Sequence, residues 1–393
     1  MRKDKNKTII VSEKTLAAMV VSFPAIYIWY SIIGRNASMR VFYFVYCMIL
    51  LLLFVIGNKY RVKRELGVLL SAVLIKLAYD SFAYPTSMSD AIEFGILLIA
   101  LDVIQRKEIR EKYYNFLIKR QRFVTATYII YLAGVLFTFL NGTGITNRWG
   151  TFSVQGPYGL AHIFSYELIV LSINSYILWN GTKNIRWMLF FILFMILTVL
   201  TNVRTVFVAI LIAVGYIFFV RNGVKKFAYA IGIAVVVYLI FRFTPLFSFV
   251  IRKTMNAINN GSITNYRYEI WMSSLRHFLS QPLRNKLLGS GINSLMEWNV
   301  KNVRMYIQAH NDFLTVLDAF GLLSLGAYLW YLIKCSMGKG GVGFILFLLS
   351  LIFFNGMYSY CSFVIGLVAI RLFFDICVNY NNPNIREPRK ARE

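Results

Sequence analysis

Long apolar runs alternate with short polar stretches over most of this chain, and lysine and arginine collect in the polar stretches. A helix that crosses a bilayer needs about 20 predominantly apolar residues. On that criterion the sequence predicts twelve spans, at residues 15–33, 41–57, 66–83, 88–105, 123–140, 159–179, 187–201, 204–220, 227–243, 313–333, 342–357 and 360–378. The alternation fails once, between Pro245 and Asn311. This polar interval ends in Gln308-Ala309-His310-Asn311-Asp312, just where apolar residues resume. The expected fold is all-α, a polytopic membrane helix bundle of about 12 transmembrane helices with one long extracytoplasmic loop that contains short helices. Its parts are a membrane domain of nine spans (1–243), the loop (244–312), a membrane domain of three spans (313–378) and a tail (379–393).

Composition changes this picture little. Hydrophobic residues make up 58% of the 393, above the roughly 45–50% of a soluble domain. Charge adds orientation. Of the 42 lysines and arginines, 27 fall in segments 1–14, 58–65, 106–122, 180–186, 221–226, 334–341 and 379–393, which are every second connection. The short connections between them hold only Arg35, Arg40, Arg148 and Arg204. This is the positive-inside pattern, with both termini cytoplasmic. The net charge of +25 thus reads as topology and contact with anionic lipid, not as a nucleic-acid surface on one soluble face. The basic N-terminus leads into an apolar run without a small-residue cleavage site, so residues 15–33 read as a retained span. Cys47, Cys361 and Cys377 lie in apolar runs and Cys335 in a short basic loop, so neither a disulfide framework nor a metal site is expected.

The long interval departs from the charge rule. It carries Arg252, Lys253, Arg267, Arg276, Arg284, Lys286, Lys301 and Arg304 against Glu269 and Glu297. Long loops translocate regardless of charge, so the surplus calls for a use. Ser262 or Thr264 is placed to cap a helix from about Asn265 to Ser280, which Pro282 would end. Arg267, Ile270, Trp271, Ser274 and Phe278 would share its packed face, leaving Arg276 and His277 to solvent. Gly289-Ser290-Gly291 marks a tight turn. Within the apolar runs, Lys76, Asp80, Asp102, Glu167, Arg242, Arg371 and Asp375 are charges that hydrocarbon penalises. Lys76 and Asp80, one helical turn apart, are expected to pair, while Asp102, Arg242, Arg371 and Asp375 lie near span ends.

Three segments resemble the O-antigen ligase and polymerase superfamily of bacterial membrane glycosyltransferases. Asn147-Arg148-Trp149-Gly150-Thr151-Phe152 with Gly156-Pro157-Tyr158-Gly159-Leu160-Ala161-His162 resembles one family signature, with Tyr158 where Asn is usual. Thr201-Asn202-Val203-Arg204-Thr205 resembles a second, with Val203 in place of Ser. Arg267 to Trp271, Gly289-Ser290-Gly291, His310-Asn311 and Gly321 resemble a third, with Ser324 where ligases have Gly, Thr or Tyr. The resemblance implies a fold like that of C-type membrane glycosyltransferases. It also implies a metal-independent, inverting enzyme without cofactor, at the bacterial plasma (inner) membrane. Such an enzyme moves a glycan from undecaprenyl diphosphate to a sugar hydroxyl, with membrane lipids, chain-length regulators and flippases as partners. A lipid diphosphate gains charge as its glycosidic bond breaks, and arginine forks suit its oxygens. Arg148, Arg204 and Arg267 are therefore the candidate diphosphate ligands. His310 is the candidate for activating the acceptor, and Arg204 counts as catalytic beside it. Glu269, Glu297 and Asp312 remain alternative bases, while His162 and His277 read as structural. The expected activity is an O-antigen or capsule type polymerase; the alternatives are a ligase using another acceptor, or a lipid-linked oligosaccharide flippase. A transporter would show paired repeats and midplane charges, whereas here the surplus charge sits on one asymmetric loop.

Overall fold

A computed structural model describes residues 2–34, 39–57, 64–148, 151–242, 255 and 266–378; the side chains at 2–13, 56, 57, 64, 147, 148, 151, 152 and 224–242 lie outside that description. The fold is all-α apart from one hairpin. The helices are α1 (Arg2–Gly34), α2 (Met39–Gly57), α3 (Arg64–Ala83), α4 (Met88–Ile104), α5 (Lys107–Lys119), α6 (Gln121–Leu140), α7 (Ala161–Thr182), α8 (Ile185–Leu200) and α9 (Arg204–Arg242). Then follow α10 (Arg267–Ser280), α11 (Leu283–Leu288), α12 (Ile292–Val303), α13 (Asp312–Ala319), α14 (Gly321–Cys335), α15 (Gly338–Phe354) and α16 (Cys361–Val378). Among the described residues, six helices are long and apolar enough to cross a membrane: Lys14–Gly34, Glu65–Ala83, Gln121–Leu140, Ala161–Thr182, Arg204–Gly223 and Cys361–Val378. Four shorter apolar helices, Met39–Val55, Ile185–Leu200, Gly321–Cys335 and Gly338–Phe354, accompany them. The chain is thus a multi-pass helical membrane protein.

Every expected apolar run is helical, and one helix count differs. The runs 204–220 and 227–243 are the two arms of α9, which meet at a kink at Gly223, with a non-helical φ of 75°, inside the expected connection 221–226. The run 313–333 is split into α13 and α14 at Phe320-Gly321. The basic stretch 106–122, expected as a connection, forms α5, which buries Tyr113 and Leu117 and exposes Lys107 and Glu111. The core is centred on α7 and α16, the two most enclosed spans. Helix α7 lies against α8 and α16, α1 against α2 and α6, and α9 against α15.

Ionisable groups inside the bundle have partners, as their cost in hydrocarbon requires. Lys76 pairs with Asp80, and Asp102 with Arg106 at 3.1 Å. Asp375 receives Arg110 at 2.8 Å and Arg371 at 3.2 Å. Arg371 also caps the end of α14 by donating to the Cys335 and Met337 carbonyls. Glu167, fully buried on α7, accepts hydroxyl hydrogen bonds from Tyr131 (3.0 Å), Tyr158 (2.7 Å) and Ser362 (2.7 Å). Each such bond to a charged group contributes about 1.5–3 kcal/mol, so three of them offset part of the desolvation of one carboxylate. Tyr158, the departure from the family's usual Asn, is thereby one of three hydroxyls that make Glu167 tolerable. The side chain of Arg242 lies outside the described residues.

Helices α10, α11 and α12 are anchored on the α13–α14 break by backbone contact. Gly289 has φ 92° and Gly321 φ 86°. A Cβ on Gly289 would run into the Ala319 carbonyl, and one on Gly321 into the Leu287 carbonyl. The amides of Ser290 and Gly291 donate to the carbonyls of Asp318 and Ala319 at 3.1 and 3.0 Å. Only glycine fits both the conformation and the approach. Gly289→Ala and Gly321→Ala are expected to destabilise by at least ~2 kcal/mol, read as a lowered thermal midpoint in detergent, whereas Ser290→Ala should fall well short of that loss.

Candidate active site at three helix N-termini

Arg204 is the first residue of α9, Arg267 the first of α10, and His310 directly precedes Asn311, the N-cap of α13. Helix N-termini present unused N–H groups and a partial positive charge, which makes each a receptor for anions. Local sequence explains each start. The α8–α9 reversal is closed by hydrogen bonds from the Thr201 and Asn202 amides to the Leu197 and Val199 carbonyls. Asn202 there takes φ 54°, a left-handed conformation that Asn tolerates better than most residues. Tyr266, with φ 61°, turns the chain into α10. The Asn311 side chain accepts from the Leu314 amide at 3.2 Å and so caps α13. The expected capping by Ser262 or Thr264 lies outside the described residues, but α10 runs over nearly the expected range.

Long-range bonds bring these starts together. Antiparallel strands β1 (Ile145–Arg148) and β2 (Thr151–Val154) form the hairpin in which Arg148 pairs with Thr151. The Ser153 hydroxyl donates to the Thr201 carbonyl at 2.6 Å. The first two sequence motifs are therefore neighbours, although the side chain of Arg148 lies outside the described residues. Trp271 Nε1 donates to the Ala309 carbonyl at 2.8 Å, holding the segment before His310 against α10. Asn299 bonds the Ile307 carbonyl and is itself held by Ser273.

Arg204 lies within electrostatic reach of Arg267, and Arg267 in turn perturbs His310. Neither guanidinium has a hydrogen bond or ion pair among the described residues, and both are half-buried. Burial lowers the proton affinity of Arg267, and the neighbouring Arg204 lowers it further, while the Tyr166 and Tyr360 rings act the other way. Arginine stays charged through such shifts. The His310 imidazole is pushed down to about 4, first by burial and then by Arg267. It is therefore neutral at physiological pH. Among the described residues its ring makes no hydrogen bond, and its φ of 51° holds it out of the helix that follows. Two guanidinium groups without a counter-ion among the described residues thus lie at helix starts, where unused N–H groups add partial positive charge. The arginines dominate, since a helix terminus contributes only about 0.3–1 kcal/mol in ordinary geometries.

The alternative bases are placed differently. Asp312 is buried, accepts from the Met357 amide at 2.8 Å and from Tyr328 at 3.4 Å, and lies against Gly356. It braces the backbone at Gly356 and Met357. Glu269 and Glu297 are exposed. His162 is half-buried in the first turn of α7. His277 corrects the expectation of a solvent-facing ring: it is buried, with Nδ1 2.8 and 2.9 Å from the Asp318 oxygens and Nε2 near Gln281 and Ser294. Its partner is 41 residues away, so helical periodicity alone gave no sign of it. Sequence reasoning also passed over Asp90 and Glu93 on α4, both buried and both within 3.4 Å of Arg40. Their signal was two acids three residues apart in an apolar run, opposite a cation that topology alone had explained.

The fold is that of a multi-pass helical membrane protein in which two cations, Arg204 and Arg267, stand without a counter-ion among the described residues. Residues 189–330 match the family model described as O-antigen ligase, which supports the superfamily to which the motifs point and a polysaccharide-related, glycosyltransferase-like membrane enzyme. The matched segment contains Arg204, Arg267 and His310. No curated protein and no solved structure matches the chain.

Arg267→Ala is expected to raise the His310 pKa from about 4 toward the ordinary 6.5. Inorganic pyrophosphate added to the wild type should shift it the same way, by masking the guanidinium charge. Histidine NMR titration in nanodiscs reads both, and a pKa unmoved in both cases would separate His310 from the arginine pair.

Proposed function

We propose that this protein is a polysaccharide polymerase of the O-antigen or capsule type. It transfers a growing glycan from undecaprenyl diphosphate to the sugar hydroxyl of a lipid-linked repeat unit on the outer face of the plasma membrane. In this reading the chain crosses the membrane about twelve times with both termini cytoplasmic. The 244–312 segment, Arg148 and the start of α9 then all face the substrate side. The observation that carries the proposal is the pair of unpaired, mutually repelling arginines, Arg204 and Arg267, beside His310.

The chemistry fits these groups. The bond from the anomeric carbon to the diphosphate oxygen breaks, and its electron pair stays on the diphosphate. Arg204 and Arg267, with Arg148 from the hairpin, bind that growing charge more strongly than the ground state, which is what accelerates the step. The acceptor oxygen bonds to the opposite face of the anomeric carbon, inverting it, and its proton passes to His310. With Arg267 uncompensated, His310 is a weak base; as negative charge builds on the diphosphate, that suppression is relieved. Base strength therefore rises when the proton must leave. No step needs a metal or nucleotide sugar. Chain-length regulators and a flippase are the partners such a polymerase would use.

Ser324, where ligases carry Gly, Thr or Tyr, favours polymerisation. A second reading, transfer of finished glycan to a different acceptor, is favoured by the printed description of the matched family. Deleting the gene separates them: a polymerase mutant should leave single repeat units attached, and a ligase mutant long chains still on the lipid carrier. In purified protein given lipid-linked repeat units, Arg204→Ala and Arg267→Ala should each lower kcat by about 100-fold or more with folding intact. Arg148→Ala should act in the same direction, and full activity in the Arg204 and Arg267 variants would refute glycosyl transfer at this site.

A further inference from the structure

Helices α3 and α14 both pack on α4, and α11 packs on the start of α14. Between α3 and α14 this leaves a cavity of about 410 Å³, floored by Gly95 of α4. Along α3 it runs from Leu69 to Tyr79, roughly 15 Å of helix, which is about the depth of one leaflet's hydrocarbon. Its rims are apolar and bare: Leu74 and Ile75 on α3 and Leu323 on α14 are all more than half exposed, so the cavity opens sideways to the surroundings of the spans. Lys76 also lines it but is paired with Asp80, so this wall carries no net charge.

The end beside Tyr79 is different. There Leu287 and Leu288 of α11 reach the cavity, and Arg284, three and four residues before them, lies on the same face of that helix. Its guanidinium stands over the Tyr79 ring, 5.3 Å from the centroid, and makes no hydrogen bond or ion pair among the described residues. Tyr84 donates to Asn285 at 3.2 Å, and the close approach of Gly289 to Gly321 holds the other end of α11. The cation is thus fixed at the mouth of the groove. On the inner side, the lining rings Phe94 and Phe320 stack at 4.9 Å, and both meet Tyr358, whose hydroxyl donates to Gln308 at 3.3 Å. These rings stand between the groove and the segment leading to His310, so an occupant of the groove is distinct from an anion at Arg204 and Arg267.

We propose that this groove binds one acyl chain of an anionic phospholipid, with the lipid phosphate against Arg284. A leaflet-deep apolar slot fits a chain that runs along the spans, and a guanidinium without a partner selects a headgroup of net negative charge. A polyprenyl carrier fits less well, being far longer than the slot and methyl-branched at every unit. Gly95 brings α3 and α4 together, a Cβ there lying 2.8 Å from Val73 Cγ1, so the slot is narrow at its floor. Seated in it, the lipid bridges a peripheral span to the helices of the 244–312 segment. The proposal stands apart from the glycosyl-transfer reading, and its test reads binding rather than turnover.

The test uses the full chain in detergent micelles with a phosphatidylglycerol that carries a diazirine in one acyl chain. After irradiation, peptide mapping should find the label on α3 and α14. Unlabelled phosphatidylglycerol should compete about fivefold better than phosphatidylcholine, the factor that ~1 kcal/mol from one arginine supplies. Arg284→Gln should remove that preference and keep the labelled positions. Ala72→Trp and, from the facing wall, Ser324→Phe should each fill the slot and lose the label. Label spread evenly over the other exposed spans, or retained in both filling variants, would overturn the proposal. So would an anionic preference that survives Arg284→Gln, or displacement of the label by polyprenyl phosphate and not by phosphatidylglycerol.

Discussion

Two positive charges within electrostatic reach of each other, with no counter-ion among the described residues, are the constraint around which this structure is arranged. Arg204 and Arg267 come from helices 63 residues apart in sequence, repel one another, and have no carboxylate partner among the described residues. Elsewhere in the bundle the same chemistry is neutralised: Asp375 lies between Arg110 and Arg371, and Asp102 takes Arg106. The contrast is informative because isolated ionic groups are costly in a low-dielectric surrounding. Something must hold the pair in place, and the holding is done by uncharged groups. Ser153 bonds the turn before Arg204, Trp271 fixes the segment before His310, and Asp312 braces the 355–360 turn.

The motif residues divide into two kinds on this view. Arg204, Arg267 and His310 have side chains without a hydrogen-bond or ion-pair partner among the described residues. Gly289, Gly291 and Gly321 have none, and two of them let one backbone approach another where a methyl group has no room. His277 and Asp318 belong with the glycines, since they bond each other and Ser290 rather than face the site. A motif read as a single block thus mixes an anion receptor with the clamp that positions it.

The sequence revealed the spans well, because burial in lipid demands uninterrupted apolar length and that signal is local. Nearly every expected run begins within a few residues of a helix. One break within a run was less legible: Gly321 interrupts a helix where composition stays apolar. Arg204, Arg267 and His310 were legible through the ordered motifs, which place each at the start of a helix. Asp90 and Glu93 were not, because the cation they serve, Arg40, lies about 50 positions away on another helix. The burial of His277 was hidden for the same reason, its partner lying in another helix.

The unneutralised end of the bundle has a thermodynamic corollary. On the glycosyl-transfer reading the cations are installed before any substrate arrives, so the empty protein would be its own less stable form, and an occupant that bears negative charge would tighten the fold through linkage. Half-buried charges are incompletely screened by mobile ions, so ordinary salt at physiological strength, with a Debye length of about 8 Å, is a poor substitute for a seated ligand. Turnover would then alternate between a relaxed vacant state and a consolidated loaded one, with product departure working against the protein's own gain in cohesion.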